Sequence, residues 1–263
     1  MKKVAVISAS GGMDSTSLFI RLIREGYEVH AISFFYGQKH SLELKRLQSN
    51  INYLRCKNIS ISHQTIDISS IMKTFNSALT SDKEEVPEGH YEEESMKKTV
   101  VPNRNAIFSS LTYGYALSLA IEKSSIVKLA LGVHSGDHAI YPDCRPEFYE
   151  KLFEAFTMGN WDGDKVEPYL PYINGNKLSI LKDAEENCNH LNLDFDIILS
   201  NTCTSYSPDQ DGNSSGKTGS DIERILAFYA LGRPDPVPYI GGWTKALQHA
   251  LSVQREHQNP SPG

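Results

Sequence analysis

Cysteine is scarce in this chain and never closely paired. Cys56, Cys144, Cys188 and Cys203 lie far apart and form no CxxC motif, which argues against a zinc knuckle and against a disulfide framework. Positive charge is in deficit, with 26 Lys and Arg against 32 Asp and Glu. Proteins that bind polyanions are usually basic, so bulk nucleic acid is a poor partner. No apolar run approaches the roughly 20 residues of a membrane span. The opening MKKVAVISASGG carries an apolar run of only about six residues, too short for a secretory signal. A cytoplasmic protein that keeps away from membranes is the expectation. Internal repeats are absent, as is the GxGxxG dinucleotide pattern. GNSSGKT at 212–218 imitates a phosphate-binding Walker loop, but three residues separate its glycines where four are needed.

What is present is 263 residues with 40% apolar content, enough for one good core plus a small appended piece. VAVISAS at 4–10 reads as a buried strand. STSLFIRLIREG at 15–26 follows with Leu18, Phe19, Leu22 and Ile23 at helical spacing and a closing Gly26. The alternation continues through a strand at 28–37, a helix at 42–56, a strand at 59–68 and a helix at 70–79. Further helices are predicted at 105–123, 145–159, 178–191, 221–232 and 244–258, and further strands at 126–133 and 196–202. Strand–helix alternation predicts an α/β fold, a doubly wound and mainly parallel sheet. Residues 80–100 are charged and aperiodic, which fits a disordered linker or a mobile lid. Composition shifts near 200–220, so residues 1–200 are expected to form an α/β domain and 201–263 a helical extension of the same compact unit.

SASGGMDST at 8–16 lies between the first strand and the first helix. Ligands of open parallel sheets bind at the carboxyl ends of strands, and helix N-termini favour anions. Gly11 and Gly12 would let a phosphate approach the backbone, and Ser10, Ser15 and Thr16 offer hydroxyls. Asp14 suits a magnesium ligand or an N-cap. An ordinary capped turn is the competing reading.

SGGMDST resembles the SGGxDS pyrophosphate loop of the N-type ATP pyrophosphatases, which cleave ATP between its α and β phosphates. With FFYGQKHSLEL at 34–44, VVPNRNAIFSS at 100–110 and LGVHSGDHAIYPDCRPEF at 131–148, the chain resembles the QueC-like 7-cyano-7-deazaguanine synthases. That resemblance implies an adenine nucleotide α-hydrolase-like, Rossmann-type sheet. It also implies adenylation of a deazaguanine carboxylate by ATP and Mg²⁺, then attack by a nitrogen nucleophile to give an amide or nitrile. It places ATP on Ser8, Ser10, Gly11, Gly12, Met13, Asp14, Ser15 and Thr16, and on Tyr36, Gly37, Gln38, His40 and Gly132. Asp14, Ser15, Arg104 and Lys177 are the expected catalytic groups, with Asp14 holding Mg²⁺. Arg104 and Asn105 would hold phosphate or the substrate carboxylate. An aspartate can accept the ring N–H and amino group of a deazaguanine together, which suits Asp137 or Asp143. Tyr141 could stack on the ring and Arg145 could pair with a carboxylate. His134 and His138 are proton-transfer candidates or satisfied polar residues. Cys144 reads as a buried small residue rather than a nucleophile.

The family's C-terminal zinc site has no thiolates here. Its four positions align with Ser205, Ser215, Thr218 and Asp221, and hydroxyls do not replace soft thiolates on Zn²⁺. No zinc is expected, and a hydrogen-bonded turn capping the helix near Asp221 would stand in its place. Two outcomes stay open. The chain is a synthase using ammonia, or it is a QueC-like enzyme of antiphage (CBASS) operons that joins the activated deazaguanine to the N-terminal amine of a partner protein. A degenerate nucleotide-binding module and a tRNA sulfur-transfer enzyme are weaker alternatives, the latter for want of paired cysteines. The resemblance also implies a homodimer.

Overall fold

The computed structural model describes residues 3–38, 42–75, 77, 88–89, 99–134, 136, 141–205 and 208–258. Five strands, β1 (Lys3–Ser8), β2 (Tyr27–Phe35), β3 (Ser62–Asp67), β4 (Val127–Ala130) and β5 (Val166–Tyr169), form one sheet in the order β3-β2-β1-β4-β5. Every neighbouring pair is parallel, with Ile7 level with Ala31 on one side and with Ala130 on the other. The helices are α1 (Met13–Arg24), α2 (Leu42–Cys56), α3 (Ser69–Met72), α4 (Arg104–Glu122), α5 (Pro146–Met158), α6 (Lys177–His190), α7 (Phe195–Ser200), α8 (Gly219–Leu231) and α9 (Trp243–Gln258).

Both faces of the sheet are covered, which explains why β1 is apolar without alternation. Ala5 and Ile7 point into a core shared with α1, α2, α6, α7 and Phe228 of α8. Val4 and Val6 point into the opposite core with α4 and α5. A third cluster, including Ile222, Ile225, Val237 and Ala250, joins α8 to α9. The chain runs outward from β1 to β2 and β3, then returns to place β4 on the other side of β1. The strand order therefore reverses between β1 and β4, where connections leave on opposite sides and open a crevice.

Two of the sequence-derived elements are corrected. Residues 196–202 are not a strand; they overlap helix α7, which begins when Asp194 accepts the Ile197 N–H at 3.0 Å. Phe195, Ile198 and Leu199 are its buried face, and such a short apolar run fits either element. The fifth strand is instead β5. It pairs only with β4 and contains Pro168, a residue that removes a donor and is tolerated at a sheet edge. Helix α3 ends at Met72, short of the helix expected through residue 79. Residues 73–75 leave it in a turn, with the Thr74 and Phe75 N–H groups donating to the Ile71 and Met72 carbonyls; residues 76, 78 and 79, and nearly all of the 80–100 segment, fall outside the described residues.

Candidate functional site

The β1–α1 turn is built before any side chain reaches out of it. Gly11 has φ +89°, and a Cβ there would lie 2.1 Å from the Glu43 carbonyl oxygen at the start of α2. Only glycine fits that approach. Behind it, the Cys203 N–H donates to the Gly11 carbonyl at 3.0 Å. The Ser33 hydroxyl donates to the Ala9 carbonyl at 2.7 Å. Ser10 Oγ accepts the Gly12 N–H at 3.1 Å and lies 3.0 Å from Ser15 Oγ. The turn is thus held from α2, from β2 and from the segment after α7.

Gly12 is the N-cap of α1 and supplies no side-chain cap. This corrects one alternative for Asp14, which sits in the first turn and is not the N-cap. The first N–H groups of α1 therefore have no side-chain oxygen over them, the arrangement that receives an anion. Ser10, Asp14 and Ser15 line a cleft here. Met13 and Thr16 do not. Both are 1% exposed, Met13 in the core, and Thr16 Oγ1 is buried without a hydrogen-bond partner.

The cleft lies over the carboxyl ends of β1, β2 and β4. Its walls include Ser8, Tyr36, Arg104, Asn105, Gly132 and Tyr141, all expected site residues. Gly132 is where the exit of β4 crosses the start of α1: a Cβ on it would lie 3.0 Å from the Ser15 nitrogen. Asn103, in the left-handed region at φ +59°, precedes α4 and makes Arg104 its first residue. Tyr141 is buried with its hydroxyl 2.6 Å from Thr99 Oγ1. Asn105 Nδ2 reaches Cys144 Sγ at 3.6 Å, and Cys144 is a buried part of the wall. Burial pushes the Tyr36 hydroxyl up to about 12 against the opposing charge of Arg104, so it stays protonated at neutral pH.

Lys177 reaches Asp14 from α6, behind the cleft wall that Asp14 lines. A capping box between Asn176 and Ser179 starts that helix, and α6 packs along α1. The Lys177 side chain is 6% exposed, with Nζ 2.9 Å from Asp14 Oδ2 and 3.4 Å from Glu223 Oε2. It is also 3.0 Å from Nε2 of the buried His134. The other nitrogen of that ring accepts the Gly136 N–H at 3.1 Å. Burial alone would raise the Asp14 carboxyl, but the Lys177 charge and its hydrogen bond pull the other way and hold the group low. Asp14 Oδ1 is buried and has no hydrogen-bond partner, so a hard carboxylate oxygen stands ready for a cation.

Other expected residues lie elsewhere. Gln38 secures the end of β2 by accepting the Tyr36 N–H at 2.9 Å, and Gly37 follows Tyr36 at φ +79°. Neither lines the cleft. Asp143 lies in a short 3₁₀ turn and Arg145 is exposed at the start of α5; the cleft walls do not include them. His40, Asp137 and His138 lie outside the described residues. Two acidic residues were not foreseen. Glu43 lines the cleft, and burial pushes its carboxyl up to about 7 against the pull of Arg104. It belongs to the quoted FFYGQKHSLEL stretch, so the signal was present. Glu223 carries no local signal.

Ser205, Ser215, Thr218 and Asp221 converge in space. Asp221 Oδ2 accepts the Ser205 and Ser215 hydroxyls at 3.0 and 2.9 Å and the Gly216 and Thr218 N–H groups at 3.1 and 3.4 Å. Thr218 and Asp221 also form the capping box of α8. Asp221 Oδ2 is thus committed to four donors and Oδ1 is buried without a partner; three hydroxyls and one carboxylate do not fit a structural Zn²⁺ site, which is built from thiolates and imidazoles. Burial drives the nearby Cys203 thiol up to about 12, far from a metal-binding thiolate. One turn on, Arg224 is 1% exposed. It donates to both oxygens of Asp235 at 2.6 and 2.9 Å, to Thr202, and to the Leu199 carbonyl.

Comparison with known proteins adds to this geometry. The family model described as queuosine biosynthesis protein QueC matches residues 4–232. The chain is 41% identical over 239 residues to a 7-cyano-7-deazaguanine synthase of Pseudoalteromonas translucida, covering 91% of this chain and 100% of that one. It is 43% identical over 240 residues to 7-cyano-7-deazaguanine synthase 2 of Colwellia psychrerythraea, covering 91% and 99%. It is 42% identical over 235 residues to a 7-cyano-7-deazaguanine synthase of Caldicellulosiruptor saccharolyticus, covering 89% and 95%.

Proposed function

Because this chain belongs to the QueC family, we propose that it uses ATP to activate the carboxylate of 7-carboxy-7-deazaguanine and passes the acyl group to nitrogen. The observation that carries this reading is the start of α1. Its open N–H groups, Asp14 and the buried Lys177 meet at the point where the strand order reverses. The N–H groups of α1 and the Ser10 and Ser15 hydroxyls would hold the β and γ phosphates. Lys177 would neutralise charge that builds on the departing pyrophosphate. Arg104 and Asn105, across the cleft, would orient the substrate carboxylate against the α-phosphorus. The protonated Tyr36 can donate a hydrogen bond beside them. Asp14 would hold Mg²⁺ through its partnerless Oδ1, and the ion would supply further charge neutralisation on the phosphates.

A carboxylate resists attack by nitrogen because its oxygen leaves poorly. In the first step a carboxylate oxygen bonds to the α-phosphorus and the bond to the bridging oxygen breaks, releasing pyrophosphate. In the second, the nitrogen lone pair attacks the acyl carbon, the C–O bond to AMP breaks, and the nitrogen gives up a proton. Glu43, titrating near neutrality, lies in the same cleft and suits that proton. Loss of water from the amide would give the nitrile.

A second nucleophile, the N-terminal amine of a partner protein, is the alternative reading; it is motivated by the hydroxyls and carboxylate of Ser205, Ser215, Thr218 and Asp221 at the family's thiolate positions, in a segment tied to the Gly11 turn through the Cys203 N–H. The test is mass spectrometry after incubation with ATP, Mg²⁺ and 7-carboxy-7-deazaguanine, with ammonia in one sample and candidate acceptor proteins in another. AMP with an amide or nitrile is expected in the first; a mass gain on a protein would assign the conjugating reaction. No AMP in either refutes the proposal. Asp14→Ala should abolish AMP release while leaving the far-ultraviolet circular dichroism spectrum unchanged.

A further inference from the structure

The C-terminal segment reaches Lys177, and through it the cleft residue Asp14, by one side chain. Glu223 projects from the first turns of α8 toward the start of α6, and its Oε2 lies 3.4 Å from Lys177 Nζ. Its other oxygen faces the backbone beyond β4 so closely that a Cβ on Gly136 would lie 2.7 Å from it. The rotation of α8 is fixed on both sides of Glu223. Asp221 binds the Ser205 and Ser215 hydroxyls, and Arg224 is locked on Asp235. Glu223 is therefore delivered to Lys177 by two buried networks.

Lys177 is a nearly buried ammonium, and such a group needs a counter-charge at every stage of a reaction. Asp14 supplies one at 2.9 Å. In the proposed function Asp14 would also hold a cation through Oδ1, and its single negative charge would then be shared between that cation and the ammonium on Oδ2. A second carboxylate makes up the shortfall, because the ammonium has three donors and Glu223 Oε2 stands 3.4 Å away.

We infer that Glu223 is a positioning residue for Lys177, holding the ammonium at the phosphate site when Asp14 is taken by the cation. This rests on the reading of Lys177 as a phosphate-binding group. It assigns the C-terminal segment a part in ATP use that acts through one lysine.

The experiment compares Glu223→Gln, Glu223→Asp, Lys177→Met and the Glu223→Gln/Lys177→Met double variant. Each is measured for AMP release and for calorimetric binding of inorganic pyrophosphate without metal. Glu223→Gln should lower kcat about tenfold, raise the Mg²⁺ concentration for half-maximal rate, and leave the melting temperature close to that of the parent. Glu223→Asp should recover part of the rate. The double variant should be no worse than Lys177→Met, because both changes remove one unit. Pyrophosphate supplies the discriminating sign. Removing a negative charge by itself tightens anion binding, whereas a misplaced lysine weakens it about threefold or more. Tighter pyrophosphate binding, unchanged kcat in Glu223→Gln, or multiplied losses in the double variant would overturn the inference. Full activity in Lys177→Met would instead overturn the phosphate-binding reading beneath it.

Discussion

Replacing Asp221 by alanine tests whether the C-terminal segment stands without metal. The carboxylate accepts four hydrogen bonds, from Ser205, Ser215, Gly216 and Thr218, and is 1% exposed. Hydrogen bonds to a charged acceptor contribute about 1.5–3 kcal/mol each. The total is offset by the cost of burying the charge, which raises the Asp221 carboxyl. Truncation strands four neutral donors, at about 1–3 kcal/mol for each that stays buried and unsatisfied, and relieves the buried charge, so the net loss is on the order of 3–5 kcal/mol. For a chain of this length that lowers the melting temperature by roughly 6–15 °C. Asp221→Asn keeps one acceptor oxygen and should lose about half as much. The assay is thermal and urea unfolding followed by circular dichroism, run with and without a strong chelator. The parent should show one melting temperature in both buffers. A loss under about 1 kcal/mol in Asp221→Ala would refute the carboxylate hub, and so would a chelator-induced drop in the parent.

Glu43 gives a pH dependence of definite sign. Its folded carboxyl is raised to about 7 from 4.5, so the folded chain keeps a proton that the unfolded chain has released. Its contribution is fully present below pH 4.5 and is lost as pH rises toward 7. At about 1.4 kcal/mol per pH unit the ceiling is ~3 kcal/mol, and the partial exposure of the side chain to solvent reduces it to about 1–2 kcal/mol. Glu43→Gln should match the parent in urea at pH 4.5 and exceed it at pH 8 by that amount; equal midpoints at pH 8 would refute the assignment. Gly11→Ala should cost more than about 2 kcal/mol and abolish ATP use, since its Cβ would enter the Glu43 carbonyl and its φ is left-handed. An alanine variant with normal AMP release would show that α2 can withdraw from the turn.

The strands β1, β2 and β4 were readable because both faces are buried and their apolar runs are short and bounded by turns. Helix α1 was readable from Leu18, Phe19, Leu22 and Ile23. Strand β5 was not, because its four residues include Pro168 and carry no alternation. Helix α7 was misread because Ile197, Ile198 and Leu199 make a short apolar run that suits either element, although Asp194 ahead of it was a usable cap signal. In the site, Ser10, Asp14 and Ser15 were legible because one turn carries them. Tyr36, Arg104, Asn105 and Tyr141 were legible as parts of a family pattern. Glu223 and the Cys203 amide meet the turn only through tertiary packing, and Glu43 owes its chemistry to burial.

The hydrogen bond between the Cys203 amide and the Gly11 carbonyl also sets an order of events during synthesis. Some 190 residues separate the two partners, and at about 5–20 residues per second the ribosome needs roughly 10–40 s to make them. Through that interval the glycine turn is outside or near the exit tunnel without its rear support, and Lys177 and Glu223 are still to come. The proposed nucleotide site cannot assist the folding of the first half of the chain. It becomes available only once the last third has been translated and docked, so a truncated product would leave the ribosome with the recognisable loop and no working site.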